Sequence, residues 1–185
     1  CWFTQPARSW VHRAIAFDGK GGDGVADWAY FGMKSNKIHY EYNQSVVGAK
    51  TSESASKTFT YGTWYHIGMT YTDSTNTVKF YYNGADAGSV TSVSPVTTDS
   101  VVQSAISIKD DGYLANRELD GGVDDIGIWD SVLSDANMTA LYNSGNGAKC
   151  DTVASGDLVH YVDFEVGPGN EPKDTIAGGL GAGVW

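Results

Sequence analysis

Two stretches in the middle of the chain alternate apolar and polar side chains with a period of two. In Thr63–Thr72 (TWYHIGMTYT), Tyr65, Ile67, Met69 and Tyr71 alternate with Trp64, His66, Gly68 and Thr70. In Thr77–Asn83 (TVKFYYN), Val78, Phe80 and Tyr82 lie on one face and Lys79 and Tyr81 on the other. A period of two is strand geometry. The turn Asp73–Asn76 between them makes an antiparallel hairpin, and Asn83-Gly84 is a second strong turn signal. A lone hairpin cannot hide its apolar face, so this pair demands further strands and a second layer.

The rest of the chain supplies them. Residues 2–17 read as one or two strands interrupted at Pro6. Ala26–Met33 and Lys37–Asn43 follow, with Ile38, Tyr40 and Tyr42 on one face and His39 and Glu41 on the other. Residues 44–58 and 88–100 read as loops or edge strands. Ala105–Lys109 and Gly121–Trp129 are further strands. One helix is expected from about Asp135 to Asn143, with Ser134 as N-cap, Asp135 at its positive end and Gly145 as its stop. Met138, Leu141 and Tyr142 have helical spacing and should pack on the strands. Strands recurring every 8–15 residues without a βαβ pattern define an all-β sandwich or barrel.

The 185 residues fit one such domain. A formal net charge of −10 argues against a nucleic-acid partner, because a phosphate backbone requires a basic patch. The densest basic stretch holds only Arg8, His12, Arg13 and Lys20. No run of about 18 apolar residues spans a membrane. The sequence opens on Cys1 with no leader segment, so a mature product or a piece of a longer chain is expected. Cys1 and Cys150 permit one disulfide, or are two unrelated thiols.

Three stretches together resemble the laminin-G-like jelly-roll domains of the concanavalin A-like lectin/glucanase superfamily. They are Gly62-Thr-Trp64-Tyr65-His66-Ile67 with its hairpin to Asn83-Gly84, then Leu119–Trp129 (LDGGVDDIGIW), then Leu133-Ser134 with Met138 and Leu141-Tyr142-Asn143. The resemblance implies an antiparallel β-sandwich of jelly-roll type with one short C-terminal helix, spanning residues 1–148. Asn137 stands where the family pattern carries Glu, so the capping box is expected to be lost. The family's opening strands are missing before Trp2, while Leu158–Gly167 (LVHYVDFEVG) resembles that opening. Residues 149–185 are therefore expected to complete the sandwich, or to begin another domain or pair with a neighbouring subunit.

The superfamily includes glucanases, whose catalysis needs paired carboxylates aimed into one cleft. Glu118, Asp120, Asp124 and Asp125 lack that alternation, and the four histidines lack zinc spacing. An enzyme is not expected. His66 reads as a strand residue with a satisfied hydrogen bond. Calcium is the cofactor the resemblance favours, with Asp110, Asp111, Asp124 and Asp125 as ligands and Asp18, Asp23 and Asp27 as a second group. The alternative is that Asp124 and Asp125 cap loop amides. A sugar site would draw on Trp10, Trp28, Tyr40, Tyr42 and Tyr113, with Asn36 and Asp111 as polar partners, unless these aromatics are core. Two functions follow as expectations. One is a non-catalytic extracellular or surface module binding a glycan or a cell- or virion-surface protein. The other is an assembly subunit of a virion, fibre or extracellular filament, joined through its C-terminal segment.

Overall fold

The computed structural model describes residues 1–4, 12–20, 26–44, 48–91, 93, 103–105, 121–165 and 175–176. For residues 12–20, 26–28, 43–44, 48–49 and 103–105 it describes the backbone alone.

The chain forms an antiparallel β-sandwich. In chain order the strands are β1 (Trp2–Thr4), β2 (His12–Lys20), β3 (Ala26–Lys34), β4 (Lys37–Gln44), β5 (Gly48–Glu53) and β6 (Trp64–Thr72). They continue as β7 (Thr77–Tyr82), β8 (Ala85–Val90), β9 (Gln103–Ala105), β10 (Val123–Asp124), β11 (Ile126–Trp129) and β12 (Leu158–Val162), with helix α1 (Asp135–Tyr142) between β11 and β12. One sheet runs β10-β1-β6-β7-β8 and the other β5-β4-β3-β2-β9, while β11 and β12 pair with each other.

Alternation along β6 explains how the layers stack. Its odd residues face the opposite sheet, where Ile67 joins Phe3, Val78, Phe80, Phe31, Met33, Ile38 and Tyr42 in the main core. Its even residues face α1. There Tyr81 of β7 joins Met138, Leu141, Cys150, Leu158 and Tyr161 in a second cluster. The sheet is thus apolar on both faces, and the helix seals the outer one.

The Asn83-Gly84 turn links β7 to β8, with φ of +50° and +73°. Left-handed φ at both central residues is what a twisted two-residue hairpin requires. The Asn83 amide donates to the His66 carbonyl at 2.8 Å, and the His66 amide donates to Asn83 Oδ1 at 3.1 Å, tying the turn to β6. The helix sits directly on this turn: a Cβ at Gly84 would lie 2.7 Å from Tyr142 Cβ and 3.1 Å from the Met138 carbonyl oxygen.

Three details differ from the sequence reading. Gly121–Trp129 is two strands, because Asp125 adopts a left-handed φ of +50° and shifts the chain from β1 to β12 as its partner. The capping box is present: Asn137 Oδ1 accepts the Ser134 amide at 3.1 Å, doing with a shorter side chain what Glu does elsewhere. The helix is stopped by Asn143 in the left-handed C-cap conformation, ahead of Gly145. Within the C-terminal segment, β12 pairs with β11, with Ile126 opposite Val162 and Gly127 opposite Tyr161.

Gly84→Ala should cost about 2–4 kcal/mol in urea unfolding, combining left-handed strain with overpacking against the helix. Gly62→Ala, at φ +72° with no atom within 4 Å of the added carbon, should cost only about 1 kcal/mol. Equal costs would contradict the helix contact.

Candidate functional site

The aromatic residues expected to bind sugar divide sharply. Tyr42 is buried in the main core, and Tyr40 stacks on it at 5.4 Å between ring centroids. These two rings face the opposite sheet, so they form no open platform, and that expectation is corrected. Alternation along β4 sends them inward with Ile38. Trp28 lies in β3 opposite Asn43, with its backbone alone described. Trp10 and Tyr113 lie outside the described residues, as do Asp23, Asp110 and Asp111. Asn36 is exposed in the β3–β4 turn at φ +63°.

The opposite face of β4 is polar. His39 is 1% exposed, with Nε2 3.1 Å from Glu41 Oε2 and Nδ1 3.3 Å from Glu53 Oε1. Lys37 Nζ donates to the other Glu53 oxygen at 2.8 Å, and that hydrogen bond holds the Glu53 carboxyl below its usual range. Both carboxylates here are committed to a single imidazole.

Asp124 and Asp125 have structural partners. The Asp125 amide donates to Asp124 Oδ1 at 3.0 Å, and the Tyr161 hydroxyl donates to Asp125 Oδ1 at 2.7 Å. Burial, then the neighbouring Asp125 charge, raises the Asp124 carboxyl. Among the described residues, no three His, Cys, Asp or Glu side chains gather closely enough to hold a metal ion. Cys1 and Cys150 are both free thiols in this structure, the second of the two arrangements that the sequence allows. The Cys150 sulfur points at the Asp125 carbonyl, 3.6 Å away, and burial pushes its thiol up to about 12. The Cys1 sulfur points at the Ile67 carbonyl, 3.9 Å away.

The structure brings forward two aromatics that the sequence reading passed over. Tyr61 is 72% exposed and Trp64 46% exposed, on the short loop that opens β6. The Thr63 amide donates to the Thr60 carbonyl at 3.1 Å, closing this turn. The loop is held from beneath: Phe59 packs edge-on against Tyr65 and Tyr82, and the Tyr82 hydroxyl donates to the Thr58 carbonyl at 2.6 Å. The Thr60 amide donates to the Tyr65 hydroxyl at 2.7 Å. The Trp64 ring lies against Gly122, where an added Cβ would stand 2.7 Å from it. Two aromatic faces therefore project from a pinned loop among exposed threonines. The available signal was Gly62, a left-handed residue that separates Tyr61 from the inward-facing strand.

At the far end of β6 is a cavity of about 500 Å³, lined by Cys1, Gly68–Tyr71, Gly127–Leu133, Phe31, Met138 and Leu141 among others. His66 borders it. Contrary to expectation, its Nδ1 is buried with no hydrogen-bond partner. Trp2 packs edge-on against the imidazole at 5.7 Å, and Trp2 in turn stacks on Tyr142 at 5.8 Å. These aromatic neighbours give Nδ1 no acceptor or donor.

With this geometry in place, the comparisons are direct. Residues 1–138 match the laminin-G family model described as "Concanavalin A-like lectin/glucanases superfamily", and the chain belongs to that family. It is similar in fold to a native heptameric SAP-like pentraxin from Limulus polyphemus. That likeness has 15% identity and a TM-score of 0.56, over 80% of this chain and 69% of that one. A weaker likeness is to an S-layer domain-containing protein of Clostridium thermocellum, at 24% identity and a TM-score of 0.37, over 75% of this chain and 66% of that one. No curated protein matches the sequence. Among the described residues, no helix is long and apolar enough to cross a membrane.

Burial lowers the His66 pKa from 6.5 to about 3. The unfolded chain therefore binds a proton below pH 6.5 that the folded chain refuses. This contribution to stability is complete above pH 6.5 and falls as pH drops toward 3. By pH 5 it has fallen by about 2 kcal/mol. His66→Phe should flatten this part of the stability–pH curve in denaturant titrations, and an unchanged slope would show that other groups carry it.

Proposed function

We propose that this chain is a non-catalytic extracellular or surface recognition module that binds carbohydrate through Tyr61 and Trp64. The observation carrying this reading is two exposed aromatic faces on a loop whose backbone is fixed from below. Apolar sugar faces stack on such rings, and neighbouring hydroxyls such as Thr60 and Thr63 can bond sugar hydroxyls. Pinning the loop before binding lowers the entropy lost on association. The family membership supports a lectin-type reading. The pairing of Glu41 and Glu53 with His39 and Lys37 favours binding over hydrolysis, since a glycosidase needs two carboxylates free to act on one bond. Calcium enters this reading through Asp110 and Asp111. A melting midpoint that is the same in calcium and in chelator would remove a structural calcium from it.

A glycan array followed by titration calorimetry tests the sugar site. The double variant Tyr61→Ala/Trp64→Ala should keep its circular dichroism spectrum, because both rings are largely outside the core. It should lose at least about tenfold in affinity, or about 1.4 kcal/mol. Full retention of binding by the variant, or no glycan bound by the parent chain, would reject the site.

A further inference from the structure

The sequence holds two Asn-Gly pairs, Asn83-Gly84 and Asn146-Gly147. Asparagine is chemically labile, and most so before glycine. The glycine amide nitrogen attacks the asparagine Cγ, and without a Cβ on the glycine little shields that nitrogen. The attack needs a carboxamide free to swing, an amide not held elsewhere, and rotation about the asparagine Cα–C bond. The fold treats the two pairs oppositely. Asn83 Oδ1 is taken by the His66 amide at 3.1 Å, and the Asn83 amide is bonded to the His66 carbonyl at 2.8 Å. Gly84 is buried under the helix, and its carbonyl accepts the Thr139 hydroxyl at 3.2 Å. Tyr82 and Ala85 on either side are paired across the hairpin. Turning the Asn83–Gly84 peptide would undo these contacts together. Asn146 is exposed, just past a short turn (Asn143–Gly145). Gly145 and Gly147 flank it at φ +94° and +71°. Its Nδ2 donates to the Asn143 carbonyl at 3.3 Å, and the Gly147 amide donates to the Tyr142 carbonyl at 3.3 Å. Both bonds are long for their kind and release easily. The Asn146 amide is bonded to the Asn143 carbonyl at 3.0 Å, and rotation about Cα–C leaves that bond intact.

We propose that Asn146 is a site of spontaneous deamidation, and that its isoaspartate product unlatches the C-terminal end of the helix. The Gly147 nitrogen bonds to Asn146 Cγ, the Cγ–Nδ2 bond breaks, and ammonia leaves with the Gly147 amide proton. Water then opens the cyclic imide at either carbonyl. Opening at Cγ gives aspartate. Opening at the former backbone carbonyl gives isoaspartate, in which the main chain runs through the old side chain. Water is the one co-reactant. The residue displaced is Gly147. Asn143 Nδ2 donates to its carbonyl at 2.9 Å, and the Ala148 amide donates to the Leu141 carbonyl at 2.9 Å, so this loop folds back on the last turn of the helix. Gly147 also lies against the Trp2 indole, where an added Cβ would stand 3.0 Å from Nε1. Trp2 in turn stacks on Tyr142 of the helix. An extra main-chain carbon ahead of Gly147 breaks this fit. Aspartate brings the same charge without that carbon and leaves the loop seated.

The full chain is aged in mildly alkaline buffer at physiological temperature, folded or in urea, and mapped by tryptic mass spectrometry. Cleavage after Lys109 and Arg117 puts the two asparagines on separate peptides. In the folded chain Asn146 should exchange its side-chain amide for a carboxyl at least about tenfold faster than Asn83, because the bonds of the Asn83 turn must break before attack. In urea the difference should collapse. Equal rates in the folded chain, or a difference that persists in urea, would overturn the site. The aged acidic fraction, its isoaspartate scored by methyl transfer from isoaspartyl methyltransferase, is then compared with Asn146→Asp by amide hydrogen exchange. The isoaspartyl chain should exchange at Gly147 and Ala148 faster than Asn146→Asp does. Equal exchange in the two would overturn the unlatching.

Discussion

Everything else in this fold leans on β6 being apolar on both faces. A sheet with one wet face needs only a second sheet. This one has Ile67 at zero exposure on one side and His66 at 3% on the other, so it needs a layer above as well as below. The helix supplies that layer, and its position follows from small groups rather than large ones. Gly84 and Gly68 leave the space that Tyr142 and Met138 occupy. Lys79 and Tyr81 of β7 then reach Asp135 at 2.7 and 2.8 Å and fix the first turn of the helix.

The part of the fold carried by local periodicity was readable from the residues. The hairpin of β6 and β7, the inward set Ile38, Tyr40 and Tyr42, and the cap at Ser134 each depend on neighbours within a few positions. What escaped reading was set by distant partners. The break at Asp125 exists because the chain must leave β1 and join β12, and nothing in GGVDDIGIW alone demands it. The Asn137 cap was misjudged because a residue type was compared with a pattern, while the bond depends on reach. Aromatic residues were the hardest to sort. Tyr40 and Tyr61 are the same residue type, and only the direction of the strand beneath them makes one core and the other surface.

The way β1 is held has a consequence for how the chain is made. Cys1, just ahead of it, accepts the Ile67 amide, 66 residues on, and its Thr4 side chain takes the Gly122 amide, 118 residues on. Synthesis proceeds from the N-terminus, so β1 leaves the ribosome well before the partners that enclose it. Contacts this distant in sequence form slowly, and an unpaired apolar strand is exposed until they do. A nascent chain of this architecture depends on staying unaggregated until its second half arrives, which ties yield in the cell to translation rate and chaperone supply as much as to final stability.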